Sequence, residues 1–178
     1  QLAHLGVMMS SMKRIERIRL YPTARQGARL GFALDVTREL FNALLQQRRD
    51  AWRMRRHSVS TKEQYHELTA LRGEDTRVAA VYRESEDAVL HRLDLAFAAF
   101  FRRIKSAEAP GYPRYKSRFR WEQLEFPHGD RALRFNAGQT KVKVPGIGWV
   151  GVRKGREVPD FGRAWLVRGR TLVRLVRV

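Results

Sequence analysis

The hydrophobic period changes twice along this chain, and that change limits the folds open to it. From Arg17 to Tyr21 the residues alternate, with Ile18 and Leu20 on one side and Arg17, Arg19 and Tyr21 on the other, until Pro22 ends the run. Period two with a terminal proline is a strand entering a turn. From Ala24 to about Arg56 no proline intervenes, and Leu30, Leu34, Phe41, Leu45 and Trp52 recur near helical spacing. Ser60 with Glu63 three residues on forms a capping box, and Gly73 is a C-terminal stop, which predicts a short second helix. Asp75 or Thr76 opens a third, whose Val78, Val81, Val89, Leu93, Ala96 and Phe100 carry it to about Lys105, before Pro110 and Gly111. After Pro113 alternation returns in the runs KVKVP, WVGVR, AWLVRG and TLVRLVRV, separated by Gly and Pro.

An α+β fold follows from this order. Strand patterns at both ends are most economically joined in one β domain, with residues 24–105 inserted between them as a helical module.

The charge balance points to the partner. The 178 residues carry 36 Lys and Arg against 18 Asp and Glu, a net charge of +18, with an isoelectric point near 11.4. That exceeds what solubility asks for and predicts a polyanionic partner. Hydrophobic residues make up 43% of the chain, enough for a core and too many for a disordered polyelectrolyte. No apolar run reaches the roughly 18 to 20 residues that span a bilayer, so no membrane partner is expected. The start QLAHLGVMMSSM lacks a basic head and a long apolar stretch, and does not read as a secretory signal. Met12 is the expected start, with residues 1–11 a leader or appended residues. Cysteine is absent, which excludes disulfides, Cys-ligated zinc and thiol nucleophiles and fits a cytoplasmic protein.

Residues 100–121, FFRRIKSAEAPGYPRYKSRFRW, combine seven cations with six aromatic rings and one Glu. Nucleic-acid binding needs cations to displace counterions from phosphates and flat rings on which unpaired bases stack. Arg102, Arg103, Lys105, Arg114, Lys116, Arg118 and Arg120, interleaved with Tyr112, Tyr115, Phe119 and Trp121, supply both. The competing account is a solvated basic loop beside a helix core formed by Phe100 and Phe101.

Other motifs carry less. Gly146, Gly148 and Gly151 spell GxGxxG, but a dinucleotide loop must open a helix and be followed about twenty residues on by an acid. VRKGREVP follows instead and position 171 is Thr, so the motif is expected to be a hairpin turn. Glu84, Asp87 and His91 share a helix face, and Glu63 with His66 forms one ExxH. A helical carboxylate metal site needs two such units, so pairing with Arg83 or Arg92 is expected. No GxSxG or HExxH occurs, and Glu108, Glu122, Glu125, Asp130, Glu157 and Asp160 lie in loop-like or exposed settings. No catalytic set is assigned.

Taken in order, IRLYPTARQ, RELFNALLQQRRDAW, LDLAFAAFFRRIK, GYPRYKSR and KVPGIGWV resemble the N-terminal half of TnpB, the transposon-encoded RNA-guided nuclease family, and parts of the related miniature type V CRISPR effectors. The resemblance runs from Met12 to Val152. It implies a wedge domain, a small oligonucleotide-binding-type β-barrel, interrupted by a helical recognition domain: 12–23 the first wedge strand, 24–105 the recognition domain, 106–178 the rest of the barrel. It also implies binding of a guide (omega) RNA and of target DNA beside a short adjacent motif. By position, Tyr21 and Gln26 fall in the family's entry motif, Phe100, Phe101, Arg102 and Arg103 in its helix end, and Gly111, Pro113, Arg114 and Lys116 in the segment that follows. Thr61, Tyr65, Arg83 and Asp87 occupy the region that reads the adjacent motif.

In the family a RuvC-type nuclease domain with three metal-binding carboxylates, containing a zinc ribbon, follows the wedge. Neither occurs within these residues, so the implied role is recognition without cleavage and without a cofactor in this chain, divalent metal belonging to the RuvC domain. The alternative is part of an active RNA-guided endonuclease whose RuvC domain is cut away, unseen or on another chain, which makes a separate nuclease chain a further partner. The implied location is the prokaryotic cytoplasm, with nucleoid association when bound to DNA. A blander third account is a helical scaffold whose charge serves solubility.

Overall fold

A computed structural model describes residues 15–153 and 161–168, and residues 172–176 by their backbone. The leader 1–11, Met12, Glu157 and Asp160 lie outside the described residues. In chain order the elements are β1 (Ile15–Tyr21), α1 (Ala24–Arg55), α2 (Thr61–Glu74), α3 (Thr76–Ala79), α4 (Arg83–Lys105), β2 (Gln123–Phe126), α5 (Gly129–Ala132), β3 (Arg134–Phe135), β4 (Lys141–Val144), β5 (Gly148–Val152), β6 (Arg163–Val167) and β7 (Leu172–Val176). The class is the expected α+β.

The strands form one antiparallel sheet in the order β2-β6-β7-β1-β5-β4-β3. β1 joins its two halves. Ile15 to Arg19 pair with β7, while Leu20 and Tyr21 pair with Val152 and Gly151 of β5. The chain's first described strand therefore lies mid-sheet, with every strand that follows the helices on one side of it or the other. The alternation read in the sequence sets the faces: Leu20 is buried and Ile18 half-buried, while Arg17, Arg19 and Tyr21 are exposed.

α1 begins on a capping box. Gln26 N donates to Thr23 Oγ1 at 3.3 Å and Thr23 N to Gln26 Oε1 at 2.9 Å, which satisfies two amides the first turn leaves open. The same Gln26 donates through Nε2 to Trp149 O at 2.7 Å, and Arg29 Nη1 reaches Ile147 O at 3.4 Å. The helix thus starts clamped to the β4–β5 hairpin and runs for 32 residues, about 48 Å at 1.5 Å per residue. It ends at Arg56, whose φ of 52° is left-handed.

Within the hairpin, Gly146 and Gly148 have φ of 72° and 101°, values that suit glycine, and the chain passes directly from β4 into β5. The GxGxxG is a turn.

α2 has the capping box read in the sequence, Ser60 with Glu63. The third helix differs from expectation: it is broken at Ala80–Tyr82 into α3 and α4. Arg72 of α2 explains the break. Its guanidinium donates to Val78 O, Ala79 O and Val81 O at 3.1–3.2 Å, and so takes carbonyls that a continuous helix would use for its own amides. It also pairs with the fully buried Glu86 at 2.5 Å. A hydrophobic period does not register such a break, because Val78, Val81 and Val89 are buried on both sides of it.

Buried residues of the helices (Leu34, Phe41, Leu45, Leu68, Leu93) and of the sheet side (Trp121, Phe126, Val142, Val150, Leu166) belong to one contiguous cluster. The helices are therefore fixed against the sheet by burial as well as by the α1 clamp.

Candidate nucleic-acid interface

The basic segment after α4 is neither a free loop nor a bare patch. Residues 112–121 lie as a strap antiparallel to α1, engaging it about once per turn. Tyr115 donates through its hydroxyl to Gln46 Oε1. The Arg49 guanidinium stands 5.8 Å from the Tyr112 ring centre and 5.2 Å from that of Tyr115. Asn42 holds the backbone of Lys116 through both its amide atoms, and Lys116 Nζ sits 5.8 Å from the Phe41 ring. Arg118 pairs with Asp35 at 3.2 Å.

Trp121 anchors the strap's end. It is 1% exposed, its Nε1 donates to Thr37 Oγ1 at 2.9 Å, and its ring lies 5.2 Å from Phe41. The Arg92 guanidinium lies over its ring, 4.3 Å from the ring centre. Burial lowers the Arg92 pKa from its ordinary value, and the Glu125 charge works against that. Trp121 is thus a core residue, unable to stack on a base, although the sequence placed it among the interleaved rings.

Strap formation sorts the segment's cations. Arg102, Lys105, Arg114 and Arg120 are exposed, and Arg118 is exposed although paired. Lys116 is half-buried. Arg103 is half-buried too, its Nη1 4.0 Å from where a Cβ on Gly111 would stand. Of the entry motif, Tyr21 is exposed at 53%, whereas Gln26 spends its side-chain amide on the α1 cap and the hairpin.

A second basic surface lies in the β region, where the sequence has ten basic against two acidic residues over 141–178 without marking which face carries them. On the outward face of β3, β4, β5 and β1, Arg134 pairs across to Lys143 and Lys143 to Trp149, while Lys141 pairs to Gly151 and Gly151 to Tyr21. Arg17 and Arg19 continue the face along β1, the Arg19 guanidinium 5.9 Å from the Tyr21 ring. Apart from Gly151 every one of these positions is exposed, none is acidic, and Trp149 and Tyr21 present open rings. The signal was available in KVKV, whose alternation sends Lys141 and Lys143 to one face and buries Val142 and Val144 on the other.

The four residues assigned to the adjacent motif lie along the seam between α2 and α4. Tyr65 and Arg83 meet with 4.7 Å between guanidinium and ring centre, and Arg83 also bonds Asp87 at 2.9 Å and Thr69 at 3.2 Å. Thr61, one turn before Tyr65, is engaged differently: its hydroxyl donates to Asp94 and lies 3.4 Å from Arg48 Nη2. Arg48 itself bonds Asp94 at 2.7 Å and Gln64 at 2.8 Å, joining α1, α2 and α4. No periodic pattern marks Arg48, since its partners come from two other helices.

Asp87, Glu63 and Glu86 are engaged within the helical segment. Asp87 pairs with Arg83, as expected from the sequence. Glu63 is drawn down to about 2 by the Ser60 hydroxyl, the Ser60 amide and His57. Glu86 is pushed up to about 7 by burial, against the pull of Arg72. Among the described residues no group of three or more His, Asp or Glu could hold a metal. No helix among them is long and apolar enough to cross a membrane.

Residues 9–57 match the family model of the IS605 OrfB helix-turn-helix domain. Over the described part of that match the structure has β1 and the uninterrupted α1, and the first turn between helices begins at Arg56, at the match's end. The chain is also 34% identical, over 115 residues, to a Streptomyces pristinaespiralis protein named as a candidate RNA-guided DNA endonuclease; the match covers 62% of this chain and 27% of that protein. The chain thus spans about a quarter of the relative's length. Both findings support the likeness to a TnpB-like N-terminal region.

Proposed function

We propose, from the premise of a TnpB-like N-terminal region, that this chain is the nucleic-acid recognition part of an RNA-guided effector. It holds a guide RNA and engages target DNA beside a short adjacent motif, and it contributes binding rather than cleavage. The observation that carries this is the outward sheet face, where Arg134, Lys141, Lys143, Arg17 and Arg19 surround the open rings of Trp149 and Tyr21 with no acid among them. Cations set at strand spacing follow a phosphate backbone, and rings between them accept unpaired bases. The strap adds Arg114 and Arg120 along α1, and Tyr65, Arg83 and Asp87 offer a polar cluster for base edges. Metal-dependent cutting, in this reading, belongs to parts of the effector outside these residues, and this chain requires no cofactor.

Binding of labelled structured RNA, followed from 50 to 200 mM salt, tests the proposal. Affinity is expected to fall by about 10³-fold or more across that range, as for six or more phosphate contacts. The combined variant Arg134→Ala, Lys141→Ala, Lys143→Ala is expected to reduce the salt slope by about three. Absent or salt-insensitive binding overturns it.

The name of the relative favours a second reading, in which the chain is part of an active RNA-guided endonuclease. Magnesium-dependent cleavage of a guided DNA by this chain together with a separately supplied RuvC-type nuclease part would decide for it, whereas cleavage by the 178-residue chain alone would overturn the reading that these residues hold no catalytic set.

A further inference from the structure

One cavity lies apart from the sheet face, beside the Thr61 end of the α2–α4 seam. It opens between the C-terminal turns of α1, the loop that follows, and the end of α4, with a volume of about 320 Å³. That falls within the roughly 300–1,000 Å³ of small-molecule sites. Trp52 contributes a wall from α1, Phe97, Phe100 and Phe101 a wall from α4, and Tyr112 comes from the strap. The four rings of the α4–strap side interlock: Phe97 and Phe101 stack at 6.3 Å, and Tyr112 meets Phe97 and Phe100 edge-on at 5.6 and 5.2 Å. This support fixes the wall, yet Phe101 stays 54% and Trp52 53% exposed.

The rim is cationic. Arg56 stands 5.7 Å from the Trp52 ring and Arg49 5.8 Å from Tyr112, while Arg48, 5.2 Å from Phe97, is already paired with Asp94. Arg103 lies against Gly111, next to Tyr112. An occupant of this cleft must offer a flat apolar body to the rings and negative charge to the rim. A nucleotide has both: a base that stacks and a phosphate for the arginines.

We propose that this cleft captures one unpaired base of the bound nucleic acid, with Trp52 and Phe101 as its stacking walls. The site rests on the recognition role proposed above but is separate from the surfaces that carry it. Its specificity is for single-stranded over paired nucleotides, because only an unstacked base presents both faces to rings.

The test uses the full chain and a fluorescent single-stranded RNA of mixed sequence carrying one 2-aminopurine, with a duplex of the same sequence as comparison. Trp52→Ala and Phe101→Ala replace exposed side chains, and circular dichroism checks that both variants fold. Each is expected to weaken single-strand affinity by about 5- to 150-fold, with the salt slope and duplex affinity unchanged and the 2-aminopurine quenching lost. Unchanged single-strand affinity in both variants overturns the cleft while leaving the recognition role standing, and is the outcome expected if another protein segment occupies it. Equal loss on the duplex also overturns it. Failure of the unmodified chain to bind any nucleic acid overturns both.

Discussion

Asn42 of α1 grips Lys116 from both sides, its Nδ2 donating to Lys116 O at 3.0 Å and its Oδ1 accepting from Lys116 N at 2.8 Å. One side chain thereby satisfies both polar groups of a strap residue 74 positions away. Beside it, Tyr115 and Trp121 bind α1 through Gln46 and Thr37. The strap carries the chain from α4 back to the sheet, so its hold on α1 sets where the cations of 114–120 stand.

Replacing Asn42 by Ala leaves the Lys116 amide and carbonyl without these partners, at a cost of about 1–3 kcal/mol. Thr37→Val should cost a similar amount, since it leaves the buried Trp121 Nε1 without its acceptor. Urea denaturation measures both. Limited trypsin digestion should show faster cleavage at Arg114, Lys116 and Arg118 in Asn42→Ala; an unchanged cleavage rate would mean that the strap is held elsewhere.

Glu86 makes stability depend on pH in an unusual direction. Its folded pKa of about 7 lies above the ordinary 4.5 because burial disfavours the carboxylate. The folded state then binds more protons than the unfolded one between those values, so the group's stabilisation is complete below about 4.5 and is lost as pH rises through about 7. Glu86→Gln, which retains an oxygen for Arg72, should gain stability relative to the native chain as pH rises across that window, by at most about 1.4 kcal/mol for each pH step of one. Urea midpoints from pH 4 to 8 report this difference, and a flat difference contradicts it.

Thr61 and Arg83 separate architecture from recognition along the α2–α4 seam. Thr61→Val removes the hydroxyl between Asp94 and Arg48 and should cost about 1–3 kcal/mol of stability without changing which adjacent motif is preferred. Arg83→Ala removes a partly exposed ion pair with Asp87, worth about 1 kcal/mol or less, and should change that preference. Binding to duplexes randomised beside the target, with urea denaturation in parallel, distinguishes the two; the reverse pattern would move the recognising residues off Arg83.

Local grammar was legible where one stretch of chain settles its own structure. The Ser60–Glu63 box starts α2, the glycines of GIGWVG turn a hairpin, and alternation orients β1 and β4. The candidate site was legible in part. Tyr21, Arg102, Lys105, Arg114 and Arg120 are exposed as a binding surface requires, whereas Gln26, Tyr115, Lys116 and Thr61 have side chains engaged by other parts of the chain. Nothing in residue type distinguishes these groups. Thr23 with Gln26 spells a capping box, so that cap is legible in the chain, but the second bond of Gln26, to Trp149 O, exists only once the hairpin is placed beside α1.

The sequence by itself determined the period of each segment, its caps and turns, the excess of cations and the order of motifs that resemble TnpB, because each depends on neighbours within a few residues or on composition alone. Tertiary structure decided the rest. It laid the 112–121 strap on α1, broke the third helix around Arg72, buried Trp121 under Arg92, and brought Lys143 beside Trp149 and Trp52 to the same cleft as Phe101. Those are pairings between distant residues, and their energies depend on distances that exist only once the sheet and helices have packed.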